Sequence, residues 1–252
     1  MDSLELSRDT FAHIGLFVTG TALPDTLCSP IAEIAAELRT AHPDLPRQAL
    51  SGPHNPWGPS ARVVDAWRLL DVCENPTLVD LVAGVLGPDL VLWDSELVVR
   101  PRDRGDSQAW QGMNPAWPIE PLAGATVRVA IDGSIVLRYR PGSHGDIVTG
   151  RESDGIVVAV PPGHAVVADV RLEWRYECEA PFAAEFVVRY MPATSRYNRD
   201  PLFPSNQAGT RTAPLVNYPL RPLWLVRGED RAGNDFVTGF ASPVPTWSPA
   251  LW

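Results

Sequence analysis

The chain of 252 residues carries 21 basic and 30 acidic side chains, a formal net charge of −9, with 45% hydrophobic and 20% charged residues. That balance suits one folded domain with a full core and excludes a disordered chain, and the acidity argues against nucleic acid or an anionic membrane as partner. Every basic residue is arginine, which removes Schiff-base, pyridoxal-phosphate and P-loop lysine chemistry.

Asp2, Glu5 and Asp9 do not fit a signal peptide, and no apolar run reaches membrane-spanning length. Cys28, Cys73 and Cys178 are odd in number and far apart, which fits a reducing compartment, so a cytoplasmic protein is expected. A helix is expected from Pro30 to about His42, with Ile31, Ile34, Ala35 and Leu38 on one face and Ser29 as N-cap. Residues 45–60 read as a loop, rich in Pro, Gly, Ser and Asn. A second amphipathic helix is expected over Ser60–Cys73. Asn75-Pro76 opens a third, which stops at Gly87-Pro88.

From Leu90 the texture turns to short β-rich runs. Strands are expected at Leu90–Val99, Ala125–Ile131, Ile135–Tyr139, Ile156–Val160, Ala165–Val170 and Phe182–Tyr190. The organisation is then a helical lead (1–88), a β-core (89–200) and a Pro-rich C-terminal wrap (201–252) in a single domain, a barrel or sandwich with helices on one side. On the strand Ala125–Ile131, Arg128 shares a face with Thr126 and Ala130; an arginine there must face water, a partner or a ligand.

Several short segments occur in a telling order. They are Phe11-Ala12-His13-Ile14-Gly15, Asn75-Pro76-Thr77-Leu78, Leu86-Gly87-Pro88, Pro141-Gly142-Ser143-His144 and Arg189-Tyr190-Met191-Pro192-Ala193. Between them lies Trp110-Gln111-Gly112-Met113, with Trp117-Pro118 following. Together they resemble the phytanoyl-CoA dioxygenase family of non-haem iron and 2-oxoglutarate oxygenases, over most of the chain. The resemblance implies a mainly β fold with N-terminal helices, a double-stranded β-helix (jelly-roll, cupin-like) barrel.

The resemblance also implies an iron triad of two His and one carboxylate. Its first two ligands fall at Gln111 and Met113, its second His at Trp174, and the arginine for 2-oxoglutarate at Glu185. A neutral amide is a poor Fe(II) ligand, a thioether is soft and uncharged, and an indole coordinates nothing. A carboxylate at position 185 repels an anionic cosubstrate. Neither a metal nor a cofactor is therefore expected.

The emptied barrel mouth is expected to be lined by Trp110, Gln111, Met113, Trp117, Arg128, Trp174 and Glu185. Glu185 can serve as general acid or base, hold an amine, or form a salt bridge to Arg128, Arg138 or Arg189. Gln111 can orient a substrate carbonyl or water, or cap a hydrogen-bond network. Trp174 suits a hydrophobic wall or a stacking platform. The expected function is cofactor-independent, non-redox chemistry on a small natural-product-like molecule, amine-bearing compounds included, with Glu185 and Gln111 as catalytic groups.

Two other readings stand beside it. One is a non-catalytic binding protein, as a homodimer or as the inactive half of a heterodimer with an intact oxygenase. The other is a metalloenzyme with its ligands rearranged to His144, Asp146 or Glu173. No nucleophile elbow, dinucleotide fingerprint, Walker motif or paired Cys-x-x-Cys is present.

Overall fold

A computed structural model describes residues 3–41, 67–100, 110–112, 117–145, 155–177, 183–204 and 222–236. The expectations for residues 60–66, His42, the 45–60 loop, Met113, Asp146, Cys178 and Phe182 fall outside these residues. Among the described residues the N-terminal part holds four helices: α1 (Ser3–Ile14), α2 (Asp25–Ala41), α3 (Trp67–Cys73) and α4 (Pro76–Leu86). The α4 start follows its sequence signal. The Asn75 side chain accepts the Thr77 N–H at 2.9 Å, Pro76 sits where no N–H is needed, and Gly87 ends the helix at φ +97°.

The start of α2 departs from expectation. It opens at Asp25, so Ser29 is not its cap and Pro30 lies inside the helix. Leu27, Ile31 and Ile34 form one fully buried stripe at helical spacing, and carrying that stripe back through Leu27 extends the helix past the proline. Among the described residues no helix is long and apolar enough to cross a membrane.

Eleven strands are present among the described residues: β1 (Leu16–Val18), β2 (Leu90–Arg100), β3 (Ile119–Glu120), β4 (Ala125–Asp132), β5 (Ile135–Tyr139), β6 (Ile156–Val160), β7 (Ala165–Asp169), β8 (Trp174–Tyr176), β9 (Ala183–Pro192), β10 (Arg196–Tyr197) and β11 (Trp224–Arg227). The large sheet runs β1-β7-β4-β9-β2-β11, the smaller one β6-β5-β8, and β10 pairs with β3. All the pairings are antiparallel. This is the expected jelly-roll barrel. Two of its strands lie outside the stretch read as β-core: β1 comes from the helical lead and β11 from the C-terminal stretch, and together they edge the large sheet. At 3 and 4 residues, both are too short to carry a readable alternation.

Alternation along the strands divides the core. Val127, Val129, Phe186 and Val188 pack with Leu27, Ile31 and Leu78 between the large sheet and the helices. Ala130, Ile135, Leu137, Val160, Val166 and Leu172 pack inside the barrel. Val91, Trp93, Ile119, Met191, Ala193, Tyr197 and Leu223 form a third apolar cluster, and the buried polar side chains include Arg128, Glu185, Arg189 and Asp94.

Candidate functional site

Since side chains alternate across a strand, the residues between those packed on the helices point into the barrel. On β4 these are Thr126, Arg128 and Ala130, set opposite Arg189, Val187 and Glu185 of β9. Arg128 and Glu185 are only 3% and 1% exposed. Arg128 Nη1 donates to Glu185 Oε2 at 3.1 Å and to the Tyr176 hydroxyl at 2.8 Å. Tyr176 in turn donates its O–H to Glu185 Oε1. The guanidinium carbon lies 4.0 Å from the centre of the Trp174 ring and 5.5 Å from that of Tyr176.

Burial alone would lower the Arg128 pKa, but Tyr176 and Glu185 outweigh it and hold the pKa above its ordinary value. Arg128 is therefore a permanent cation. Tyr139 lies beside it. Burial pushes the Tyr139 phenol up, Arg128 offsets only part of that shift, and the hydroxyl stays protonated. That hydroxyl is buried and makes no hydrogen bond of ordinary geometry.

A second charged group sits one register step away. Arg189 pairs with Asp94, and its Nη2 donates to Glu96 Oε1 at 2.5 Å. Burial works against its charge, but Glu96 and Asp94 more than compensate and raise its pKa. Its guanidinium lies 5.0 Å from the ring centre of Trp117.

These groups surround a cavity of about 390 Å³, lined by Trp110, Gln111, Trp117, Thr126, Arg128, Tyr139, Asp169, Trp174 and Arg189 among others. At its rim Gln111 and Trp174 form a mutually hydrogen-bonded antiparallel pair, with N–H···O distances of 2.7 and 2.6 Å. Two glycines permit this close packing. A Cβ on Gly112 (φ +108°) would meet the Leu172 carbonyl oxygen at 2.3 Å, and one on Gly155 (φ +74°) would meet that of Tyr139 at 2.3 Å and the Trp110 ring at 2.9 Å. Trp110 is flanked by Arg140 at 3.9 Å and Arg175 at 4.7 Å from its ring centre.

Of the residues singled out from sequence, Trp110, Gln111, Trp117, Arg128 and Trp174 converge on this cavity. Glu185 lies behind Arg128 and is not part of the lining. Among the three arginines offered as its partner, Arg128 holds it; Arg138 pairs with Glu177 at 2.9 Å and Arg189 with Asp94 and Glu96. Met113 is outside the described residues. Sequence reasoning missed Tyr139 and Tyr176, though the signal was there: Tyr139 continues the Ile135, Leu137 alternation, and Tyr176 is two residues from Trp174 on a strand.

Of the residues that the resemblance sets at iron-ligand positions, the two among the described residues do not suit Fe(II). Gln111 offers a neutral amide, Trp174 offers no coordinating atom, and among the described residues no group of three His, Cys, Asp or Glu is placed to hold a metal ion. His144 Nε2 lies 3.2 Å from the Ala12 carbonyl oxygen, in the turn that ties Gly142 N–H to Ile14. Glu173 pairs with Arg140. Both are engaged in holding the fold.

No known family profile matches the sequence, and no curated protein matches it. Solved structures do resemble it. CytC3 with Fe(II) and α-ketoglutarate matches at 18% identity and TM-score 0.64, over 93% of this chain and 92% of that one. A nickel complex of the non-haem monooxygenase ThoJ matches at 20% identity and TM-score 0.61, over 90% and 85%. The non-haem α-ketoglutarate-dependent epimerase SnoN from nogalamycin biosynthesis matches at 18% identity and TM-score 0.56, over 78% and 85%. At such identities the likeness establishes architecture, and the chain has the double-stranded β-helix fold of the non-haem iron, 2-oxoglutarate-dependent enzymes.

Proposed function

We propose that the protein is a cofactor-independent biosynthetic enzyme of the phytanoyl-CoA dioxygenase-like type. It binds a small natural-product-like molecule in the barrel mouth and performs non-redox chemistry on it: isomerisation, cyclisation, elimination or epimerisation. One observation carries this reading. The barrel's buried Arg128 is already held by the chain's own carboxylate, Glu185, with Tyr176 closing the triangle. The charge that a carboxylate of 2-oxoglutarate would pair with is thereby already compensated from within the chain.

The remaining chemistry is that of positioned donors. Arg128 lines the cavity as a fixed cation and can polarise a ligand carbonyl or stabilise an enolate oxygen. Glu185 and Tyr176 fix the orientation of Arg128 through their hydrogen bonds. Gln111, at the exposed rim, can orient a second polar group of the ligand. SnoN, described as an epimerase from nogalamycin biosynthesis, supports the reaction class, although it depends on α-ketoglutarate.

The reading as a binding protein, or as the inactive partner of an intact oxygenase, has its own support. Asp94, Glu96, Asp169 and Glu185 are each engaged by an arginine, so no unpaired carboxylate lines the described part of the cavity to act as base. Co-purification with a chain carrying the full His-x-Asp, His and Arg set would favour it.

The test of metal independence is an anaerobic titration with Fe(II) and 2-oxoglutarate, followed by the visible charge-transfer band and by metal analysis. No band and sub-stoichiometric iron are expected. A band with one iron per chain would overturn the proposal and make the protein an oxygenase.

A further inference from the structure

The three tryptophans around the cavity share an arrangement that the proposed reaction class does not explain. Each already carries an arginine against its ring: Arg140 and Arg175 at 3.9 and 4.7 Å from the centre of Trp110, Arg189 at 5.0 Å from Trp117, and Arg128 at 4.0 Å from Trp174. A guanidinium over an indole draws on the negative charge of the ring's face. The rest of that ring is left electron-poor and close to a fixed positive charge. A ligand ammonium would find the usual attraction of an aromatic wall already taken up and a like charge nearby.

An electron-rich conjugated ring meets the opposite situation. It stacks on an electron-poor indole, and its oxygens find donors. Two of those donors are built in and buried. Arg128 is a permanent cation in the cavity wall, and Tyr139, 1% exposed, is among the residues around the cavity, its buried hydroxyl having no hydrogen-bond partner of ordinary geometry. A buried polar group left unmet costs free energy, and a ligand oxygen placed between Arg128 and Tyr139 would recover it. The carboxylates do not oppose such a ligand: Glu185 lies behind Arg128, and the Asp169 carboxylate accepts three hydrogen bonds from Arg171.

We infer that the cavity binds a planar, conjugated molecule bearing an anionic or strongly accepting oxygen, held by Arg128 and Tyr139 beside tryptophans that each carry an arginine against the ring. Amine-bearing compounds are its disfavoured ligands. The inference names the ligand class for the site of the proposed function and rests on that reading only for the identity of the site.

Three test ligands separate the contributions: naphthalene-2-carboxylate, with ring and anion; 2-(aminomethyl)naphthalene, with ring and cation; and 2-oxoglutarate, with anion and no ring. Binding to the metal-free protein is measured by calorimetry and by quenching of tryptophan fluorescence. The naphthoate is expected to bind about tenfold or more tighter than either of the others. Arg128→Met/Glu185→Gln, which removes the buried pair as a unit and leaves no lone charge, is expected to weaken the naphthoate about tenfold, and Tyr139→Phe about threefold. Circular dichroism checks that both variants are folded.

Equal or tighter binding of the amine, naphthoate affinity unchanged in both variants, or no binding of any of the three overturns the inference. Tighter binding of 2-oxoglutarate than of naphthoate also overturns it. The charge-transfer titration with Fe(II) is a separate readout, so failure of the metal-independent reading is recognised independently of the ligand preference.

Discussion

On β9, Ala184, Phe186, Val188 and Tyr190 look out towards the helices, while Glu185, Val187 and Arg189 look into the barrel. The first set is apolar except for the Tyr190 hydroxyl, which donates to the Cys73 carbonyl at 2.6 Å. The second includes an acid and a base, each bound to a charge on a neighbouring strand or facing ring. A shift of one residue along the same backbone therefore separates the surface that holds the fold from the surface that meets a ligand. Stability on the helix side comes from area removed from water. On the inner side it depends on every charge keeping its partner, because a buried ion pair gains little over an apolar pair but loses much when halved.

Both sides of that contrast can be attacked. Phe186→Ala opens a void on the helix side, and the expected loss is about 3–5 kcal/mol in denaturant unfolding. Naphthoate affinity per folded molecule is expected to stay unchanged. Arg128→Met strands Glu185 inside the barrel, with an expected loss of about 3 kcal/mol, and Arg128→Met/Glu185→Gln is expected to recover most of it. A double variant no more stable than the single one would show that the pair's charges are not what the inner face must satisfy.

The smallest effect lies outside both faces, at the loop after β11. The Arg231 side chain, then the Glu229 N–H, hold the Asp89 carboxyl below its ordinary pKa. At Asp230 burial pushes upward, but hydrogen bonds from the Asn234 side chain and from the Asn234, Ala232 and Gly233 N–H groups outweigh it, and the pKa is lowered. Both folded-state values are depressed, so the stabilisation is present above the unfolded value, near 4, and fades as pH falls through the folded values. Amide exchange in residues 228–235 is expected to rise below about pH 4 while the barrel strands stay protected. Equal loss of protection in the strands would mean that the loop and the sheet open together.

Sequence reading was strongest where one face of an element is buried and the turn residues are unambiguous. The runs Ile135–Tyr139 and Ile156–Val160 are strands with those bounds, and Asn75-Pro76 with Gly87 brackets α4. It failed at α2, where Pro30 after a serine looks like a helix start although the apolar stripe runs back to Leu27. At the site, the face occupied by Arg128 could be read from the alternation of β4. The partnership of Arg128 with Tyr176 could not, because those residues are 48 apart and meet only when the smaller sheet closes over the larger. Glu185 can be read from sequence as an acid or base or as a salt-bridge partner of Arg128, Arg138 or Arg189, and the fold pairs it with Arg128; no local pattern states which arginine it meets or how deep in a barrel it will lie.

Gly112 and Gly155 limit how this protein's descendants can change. Each lets a strand end press against a backbone carbonyl, that of Leu172 for Gly112 and that of Tyr139 for Gly155, so any larger residue there must push backbone aside. Point mutation therefore cannot widen the opening gradually from those two places. Divergence towards other ligands would have to come through the rings themselves, Trp110, Trp117 and Trp174, or through the arginines against them. A lineage tree of such barrels would show those rings exchanging while the two glycines persist.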